Sequence, residues 1–535
     1  MKKTLIFVSI FLFAFLFTSC NNSNSVTTQS TVEGTAETTT NSQTTTDDVV
    51  YDRYQEINLY SINDFHGGTY SDIANLEEIG SFLKAEKASS ENTIILSNGD
   101  IFQGAALSNY YKGEPIVKIF NNIGLDGFII GNHEFDWGID EVLKYKDGVD
   151  DDENGEMSYP ILAANIVYKD TQQMLENTVP YIIKEVSGVR VGIIGLIGNV
   201  INSISASMVN NIEFLDAEDT IYDYAGELRV DESCDIVVVY IHNGSGINDE
   251  VASFTGDHFV DAIFNGHTHQ DEIGAISRTG GLNPLYYAQA RNNEDSLFVG
   301  ISLVYDRQEN EVTSGLPSTY GWNDISDYSD SELFNILYSY QSNQIYSDYV
   351  SEILVVSSNY YDRDDLTKWG ASVLRDYTGV DIGALNSGGF RNSLYSGDFT
   401  MGDMIEIYPF DNYIKTCEMT GSEFEDLYDS LLGDDVVWDD GVYESGGTLY
   451  VNGEAIIASQ VYTIGAVDYV FDKTYYDFLD GDNITLTSYL MRDLLVEDLR
   501  NTVGTFNPGN GTSYQELFAI YDPNFHRELK LRISL

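Results

Sequence analysis

From Glu56 to about Ile301, short apolar runs alternate with polar turns and with stretches of helical character. The runs Ile57–Ile62, Thr93–Leu96, Phe128–Ile130, Val191–Leu196, Ile236–Ile241 and Ala262–Phe264 are nearly continuous in apolar residues. Such continuity predicts strands buried on both faces. Ile73–Lys87 and Glu114–Ile123 lie between them as predicted helices. This alternation describes an α/β domain built on a mostly buried sheet.

The pattern changes after Asp327. Leu333, Phe334, Leu337, Tyr340, Ile345 and Tyr349 recur near helical spacing among acidic and polar residues, up to about Asn359. This predicts one or two helices joining two domains. From about Leu366 a second α/β segment follows, with strands expected at Ile382–Leu385, Tyr413–Met419, Val461–Val467 and Lys530–Ile533. With 535 residues, two domains are the default. The expected division is residues 51–325, a helical linker at 326–360, and a second domain at 361–535. No internal repeat is evident.

The N-terminus carries an address. Lys2-Lys3 precede the apolar run Leu5–Phe17, so residues 1–19 read as a signal peptide. The run is too short for a comfortable transmembrane helix. Phe17-Thr18-Ser19-Cys20 resembles the lipobox of bacterial lipoproteins, which implies lipidation of Cys20 and a membrane-anchored, extracytoplasmic location, with simple secretion as the alternative. Residues 20–50, rich in Ser, Thr and Asn, read as a flexible tether. Cys234 and Cys417 are expected as buried thiols, with no CxxC-type metal or redox motif.

Charge narrows the function. Against 85 acidic residues stand 27 basic ones, a formal net charge of -58. A nucleic-acid polymer would be repelled. Any anionic substrate must then be attracted by local cations.

Candidate chemistry sits at the ends of the predicted strands. Asp64-Phe65-His66 follows Ile57–Ile62, Gly99-Asp100 follows Thr93–Leu96, and Gly131-Asn132-His133-Glu134-Phe135-Asp136 follows Phe128–Ile130. His242-Asn243-Gly244 ends Ile236–Ile241, and Gly266-His267-Thr268-His269 follows Ala262–Phe264. Functional groups in open α/β folds collect at strand ends. Imidazole nitrogens, carboxylates and a neutral Asn oxygen form a donor set for two divalent ions, Zn, Mn or similar. Two dications would also supply the local positive focus that an acidic chain lacks. His258 and His526 fall outside these motifs and read as surface or structural residues.

As a set, D-x-H, G-D, G-N-H-E-x-D, H-N-G and G-H-T-H resemble the calcineurin-like metallophosphoesterases, and more closely the two-domain 5'-nucleotidase family. The resemblance covers about residues 55 to 520. It implies a four-layer α/β/β/α sandwich followed by a C-terminal α/β domain of 5'-nucleotidase type. It also implies that Asp64, His66, Asp100 and His269 hold one ion, and Asp100, Asn132, His242 and His267 the other. His133 is then the spare histidine facing the phosphate, Asp136 orients it, and Glu134 is a structural neighbour.

In the second domain, Asn386-Ser387-Gly388-Gly389-Phe390-Arg391 resembles the family's nucleotide-binding loop, and Tyr408-Pro409-Phe410-Asp411-Asn412 its base-stacking segment. The resemblance implies substrate contacts from Asn386, Gly388, Gly389, Arg391 and Phe410. A second stacking aromatic and an acidic contact fall by spacing on Tyr476 and Asp482, with Phe478 a rival to Tyr476. The family's upstream arginine is replaced by Asp365, with Arg363 nearby but out of register.

Together these readings imply an exported phosphoesterase that hydrolyses nucleotide phosphate esters through attack of metal-activated water on phosphorus. Its partner is a small nucleotide or related phosphate ester; it has no evident obligatory protein partner, and touches a membrane only through its lipid. Alternatives are a 2',3'-cyclic-nucleotide phosphodiesterase/3'-nucleotidase, a UDP-sugar hydrolase, a hydrolase of non-nucleotide phosphate esters, and a surface lipoprotein that binds without turnover. The family moves one domain against the other, which makes the segment 327–360 the candidate hinge.

Overall fold

A computed structural model describes residues 51–68, 73–148, 155–508 and 512–513. Residues 1–19, Cys20, the tether to residue 50, the expected strand Lys530–Ile533 and His526 lie outside the described residues.

Two sheets stack face to face in the first domain. One runs Glu311–Tyr320, Phe298–Asp306, Tyr54–Ile62, Thr93–Asn98, Gly127–Ile129, Ile161–Leu162 and Thr178–Val179 in spatial order. The other runs Glu272–Ile276, Leu285–Gln289, Ala262–Phe264, Ile236–His242, Val189–Ile197 and Tyr181–Val186. The strands that carry the motifs pair in parallel within each sheet. Ile57, Leu59, Leu96, Ile129, Val191, Val238 and Phe264 fill the space between the sheets. Helices Ile73–Ser89 and Glu114–Ile123 cover the outer face of the first sheet through Leu83, Ile119 and Phe120. Helix Ala217–Val230 covers the second through Ile221, Ala225 and Leu228. The four-layer α/β/β/α sandwich is therefore present. Because central strands face apolar side chains on both sides, their sequences show runs rather than alternation.

The joining segment differs from a simple helical linker. Helix Ser331–Gln341 is capped by the Asp330 carboxylate, which accepts from the Glu332 amide at 2.8 Å. Its Leu333 and Leu337 sit in the core of the first domain. A second helix, Gln344–Val350, follows. Ile353–Ser357, inside the expected helical stretch, is instead a strand between Gly397–Thr400 and Thr505–Phe506. Its run of β-branched residues finds partners remote in sequence, which local periodicity does not reveal.

The second domain folds around a mixed five-stranded sheet ordered Val436–Trp438, Ile382–Asn386, Val461–Val467, Tyr413–Thr420, Asp482–Leu490. Helix Arg363–Thr378 packs on it through Leu366, Ala371 and Leu374. Asp362 caps its start, accepting from the Asp365 amide, and Gly379 ends it at φ 72°. Cys234 and Cys417 are buried free thiols. Among the described residues, no helix is long and apolar enough to cross a membrane.

Candidate metal centre

Parallel pairing aligns the carboxyl ends of the central strands, so the five motif loops meet. Asp64, His66 and His269 bring donor atoms within 4.8 Å of one another; so do Asp100, His242 and His267, and so do His66, Asp100 and His133. Nε2 of His66 lies 3.3 Å from Nε2 of His269. Nε2 of His242 stands 3.0 Å from an Asp100 oxygen and 3.1 Å from Oδ1 of Asn132, and Nδ1 of His267 stands 2.8 Å from that Oδ1. All seven expected ligands thus converge, with Asp100 common to two of the three groups.

The backbone is shaped for this convergence. Asp64, His66, Asp100, His267 and His269 adopt left-handed conformations, with φ of 51°, 50°, 55°, 74° and 51°. Each costs about 1–3 kcal/mol for a non-glycine residue and survives where the surroundings over-determine it. The glycines of the motifs permit close approach: a Cβ on Gly99 would collide with the His242 ring, and one on Gly131 with Asp100.

Neighbouring groups fix the donors. Nδ1 of His242 donates to the Asn98 carbonyl at 2.9 Å, and Nδ1 of His66 to the Gln103 carbonyl at 3.1 Å. That turns each Nε2 toward the pocket. The Asn98 amide in turn donates to the Ile241, Phe264 and Asn265 carbonyls, tying the two sheets together. The Asp64 carboxylate accepts from Nδ2 of Asn63 at 2.7 Å and from the His267 amide at 2.9 Å. Buried Glu134 accepts from the amides of Asp100, Ile101 and Gly131 at 2.8, 2.8 and 2.7 Å, clamping two motif loops.

Electrostatics match a cation site. Burial, with neighbouring imidazoles, holds His66 well below the ordinary imidazole range and pushes His267 down to about 4. Burial also lowers His269. These rings are neutral, which is the ligating form. Burial opposes charge on Asp100, yet the adjoining His242 and His133 keep its carboxyl well below the usual range. Burial would likewise lower His242, but Asp100 carries it up to about 10. Asp100 thus favours positive charge on the His242 ring, a role that a bound cation would take over. The converging, acceptor-rich donor set fits divalent ions.

His133 borders this set and has further partners of its own. Its Nδ1 lies 2.7 Å from an Asp136 oxygen, and its Nε2 lies 3.1 Å from a guanidinium nitrogen of Arg391. Burial works against its charge, but Asp136 and Asp100 raise its pKa above the ordinary value. Phe410 lies beside the His133 ring at 5.7 Å, with the Arg391 guanidinium 5.4 Å from the Phe410 centroid. Two residues of the second domain thus reach the pocket of the first. Asn109 links the domains by accepting from the Gly104 amide at 2.9 Å and donating to the Pro409 carbonyl at 3.2 Å.

Residues 57–271 match the calcineurin-like phosphoesterase family, and residues 351–472 match the 5'-nucleotidase C-terminal domain. The chain therefore carries a calcineurin-like phosphoesterase domain followed by a 5'-nucleotidase C-terminal domain, the pairing that its motifs resemble. Endonuclease YhcR of Bacillus subtilis is 26% identical over 70% of this chain, which spans only 33% of that protein's length. A 5'-nucleotidase of Vibrio cholerae is 24% identical, over 79% of this chain and 84% of its own. The crystal structure of a 5'-nucleotidase precursor from Thermus thermophilus shares the fold, with a TM-score of 0.66 at 17% identity, over 86% of this chain and all of the other.

The nucleotide-binding loop expected from the family lies at the end of strand Ile382–Asn386, with Gly388 and Gly389 in the turn that follows. Asn386 is buried beside both glycines. Tyr476 does not stand where a base can stack. It is 2% exposed, with its hydroxyl on the Asp435 carboxylate, whereas Tyr475 beside it is 49% exposed. Phe478 is no substitute, because it is buried against Trp438 and Phe471. Asp482 opens an exposed strand opposite Glu418. Asn98, Gln103 and Asn109 carry no spacing signal in the sequence, and Gln103 meets His66 through its backbone carbonyl rather than its side chain. His258 stacks on Tyr222 at 3.5 Å and serves structure.

Proposed function

We propose that this chain hydrolyses phosphate esters of nucleotides, outside the cytoplasm and anchored by lipid at Cys20. One observation carries the catalytic reading: seven metal-type donors and the His133–Asp136 pair converge beneath Arg391 and Phe410 of the second domain. The matching families and the similarity to 5'-nucleotidases support the substrate class. The N-terminal sequence pattern supports export and anchoring.

Asp64, His66, Asp100 and His269 would hold one divalent ion, and Asp100, Asn132, His242 and His267 the other. Such ions, when bound, polarise a phosphate and lower the pKa of water. Once Arg391 turns from Nε2 to the phosphate, His133 holds a proton at Nε2 for the departing oxygen, with Asp136 fixing the ring through Nδ1. Arg391 grips the phosphate with its planar fork. Phe410 offers its face to the base. Phosphate release from a panel of nucleotides, cyclic nucleotides, UDP-sugar and an aryl phosphate, with Mn, Zn, Mg or chelator, tests this reading. Metal-dependent release from 5'-nucleotides is expected. Folded protein inactive on every substrate with every metal would overturn it.

A further inference from the structure

The domains also meet away from the catalytic contacts. After the Val189–Ile197 strand, the chain forms a strap through Ile201–Ser203. Val200 and Ile204, 2% and 1% exposed, pin its two ends into the core of the first domain. Its carbonyls then accept from the second domain: Asn202 from the Tyr469 hydroxyl at 3.3 Å, and Ile204 from Nζ of Lys473 at 2.9 Å. The Lys473 ammonium also lies 4.4 Å from the Tyr469 ring centroid.

Lys473 is an unusual residue to find there. It is 6% exposed and pairs with no carboxylate among the described residues. The adjoining Asp472 is engaged by Lys415 at 2.5 Å. A buried ammonium without a counter-ion is costly unless its donors are met. Here a single carbonyl and a ring face supply that compensation; the ring belongs to the same domain as Lys473, but the carbonyl is available only while the domains are apposed. When they part, water solvates the ammonium instead. Hydration and the strap carbonyl therefore compete, which makes this contact a reversible clasp rather than a permanent weld.

The clasp touches both halves of the site. On the first domain, Oγ of Ser203 lies 3.5 Å from Nε2 of His267. On the second, Asp468, next to Tyr469, accepts from Nδ2 of Asn412 at 3.1 Å, in the loop that carries Phe410. We propose that Lys473 and Tyr469 are positioning residues: an interdomain latch on the Ile201–Ile204 strap that holds Arg391 and Phe410 over His133. Its activity arm rests on the phosphoesterase reading; its shape arm does not.

The test uses the mature chain and its Lys473→Met, Lys473→Arg and Tyr469→Phe variants. Loss of Lys473's charge should enlarge the radius of gyration in small-angle scattering and leave the melting temperature within about 2 °C. The KM for a nucleotide should rise about tenfold, the scale of one charge-assisted hydrogen bond. The kcat on an aryl phosphate, which has no base to position, should change less than about twofold by the same reasoning. Lys473→Arg should restore most of both properties, and Tyr469→Phe should produce a smaller shift in the same direction. Unchanged scattering in Lys473→Met overturns the latch whether or not the protein turns over nucleotides. A fall of about tenfold or more in the aryl-phosphate kcat also overturns it. Inactivity of the wild type, with scattering that still responds to Lys473→Met, overturns the phosphoesterase reading and leaves the latch standing.

Discussion

The two halves of the site are held in different ways. In the first domain, most candidate ligands are buried, several in left-handed backbone, and hydrogen bonds donated by Asn63 and accepted by the Asn98 and Gln103 carbonyls and the Glu134 carboxylate lock them to neighbouring strand ends. In the second domain, Arg391 and Phe410 are only partly buried and reach the pocket from loops. The Phe410 loop is held by Arg492, which donates to the Pro409 carbonyl at 2.8 Å, and across the domain boundary by Asn109. Rigid strand ends suit bond-breaking chemistry, which tolerates little displacement. Loops suit recognition, where partners vary. Changes in the first domain should therefore strike every substrate equally, and changes in the second should discriminate among substrates.

The largest effect should come from Asp100, whose carboxylate reaches toward both donor groups. Asp100→Asn should weaken both metal sites, with metal content per chain falling by about half or more of a two-ion complement. Hydrolysis of nucleotide and aryl phosphate should fall together to background. Retention of both ions would break the comparison at its rigid end. Next comes His133→Ala, expected to lower kcat by about 10²–10⁴-fold, the range for loss of a general acid. Metal content measured on the purified variant should stay at the wild-type level. Loss of metal instead would place His133 among the ligands.

The flexible half predicts a smaller, selective change. Phe410→Ala should raise the nucleotide KM by about 5- to 150-fold, equivalent to one stacking contact of about 1–3 kcal/mol. The aryl phosphate should be cleaved almost as before. Exposed Tyr475 is the better partner for a second stack than buried Tyr476, so Tyr475→Ala should weaken nucleotide binding. Tyr476→Phe should instead lower stability, by removing its hydroxyl from Asp435. Equal losses on both substrates in Phe410→Ala would show that the loop serves chemistry as well as recognition.

Legibility in the sequence follows the same division. The helix at Glu114–Ile123 and the strands Ala262–Phe264 and Val461–Val467 match their expected bounds residue for residue, because their signals are local. The convergence of the motif loops was legible because each motif follows an apolar run whose parallel pairing delivers it to one edge. The strand Ile353–Ser357 was hidden, since its partners Gly397–Thr400 and Thr505–Phe506 lie far along the chain. Tyr475 and Tyr476 are adjacent and chemically alike. Only the fold, by placing Asp435 beside one of them, decides which is buried. The clamps from Asn98 and Glu134 were also out of reach, because what matters is the carbonyls and amides they meet.

The smallest predicted effect uses one thiol from each domain. Burial raises the pKa of Cys234 in the first domain and pushes Cys417 in the second up to about 12. Both should resist alkylation at pH 8 in the folded state, because the thiolate is the reactive form. The sign of the stability effect follows from linkage. An unfolded thiol ionises near about 8.5, whereas folded Cys417 keeps its proton to about 12. Its stabilising contribution is complete below about pH 8.5 and is lost as pH rises through the interval up to its folded value. Cys417→Ala should therefore flatten the decline in stability across that alkaline window, read from denaturant midpoints at successive pH values. Mass-resolved alkylation at pH 8 adds the regional comparison. Cys417 should label more slowly than Cys234, whose thiol is raised less far. The reverse order would mean that the second domain opens more readily than the first, placing its mobility within the domain as well as at the boundary.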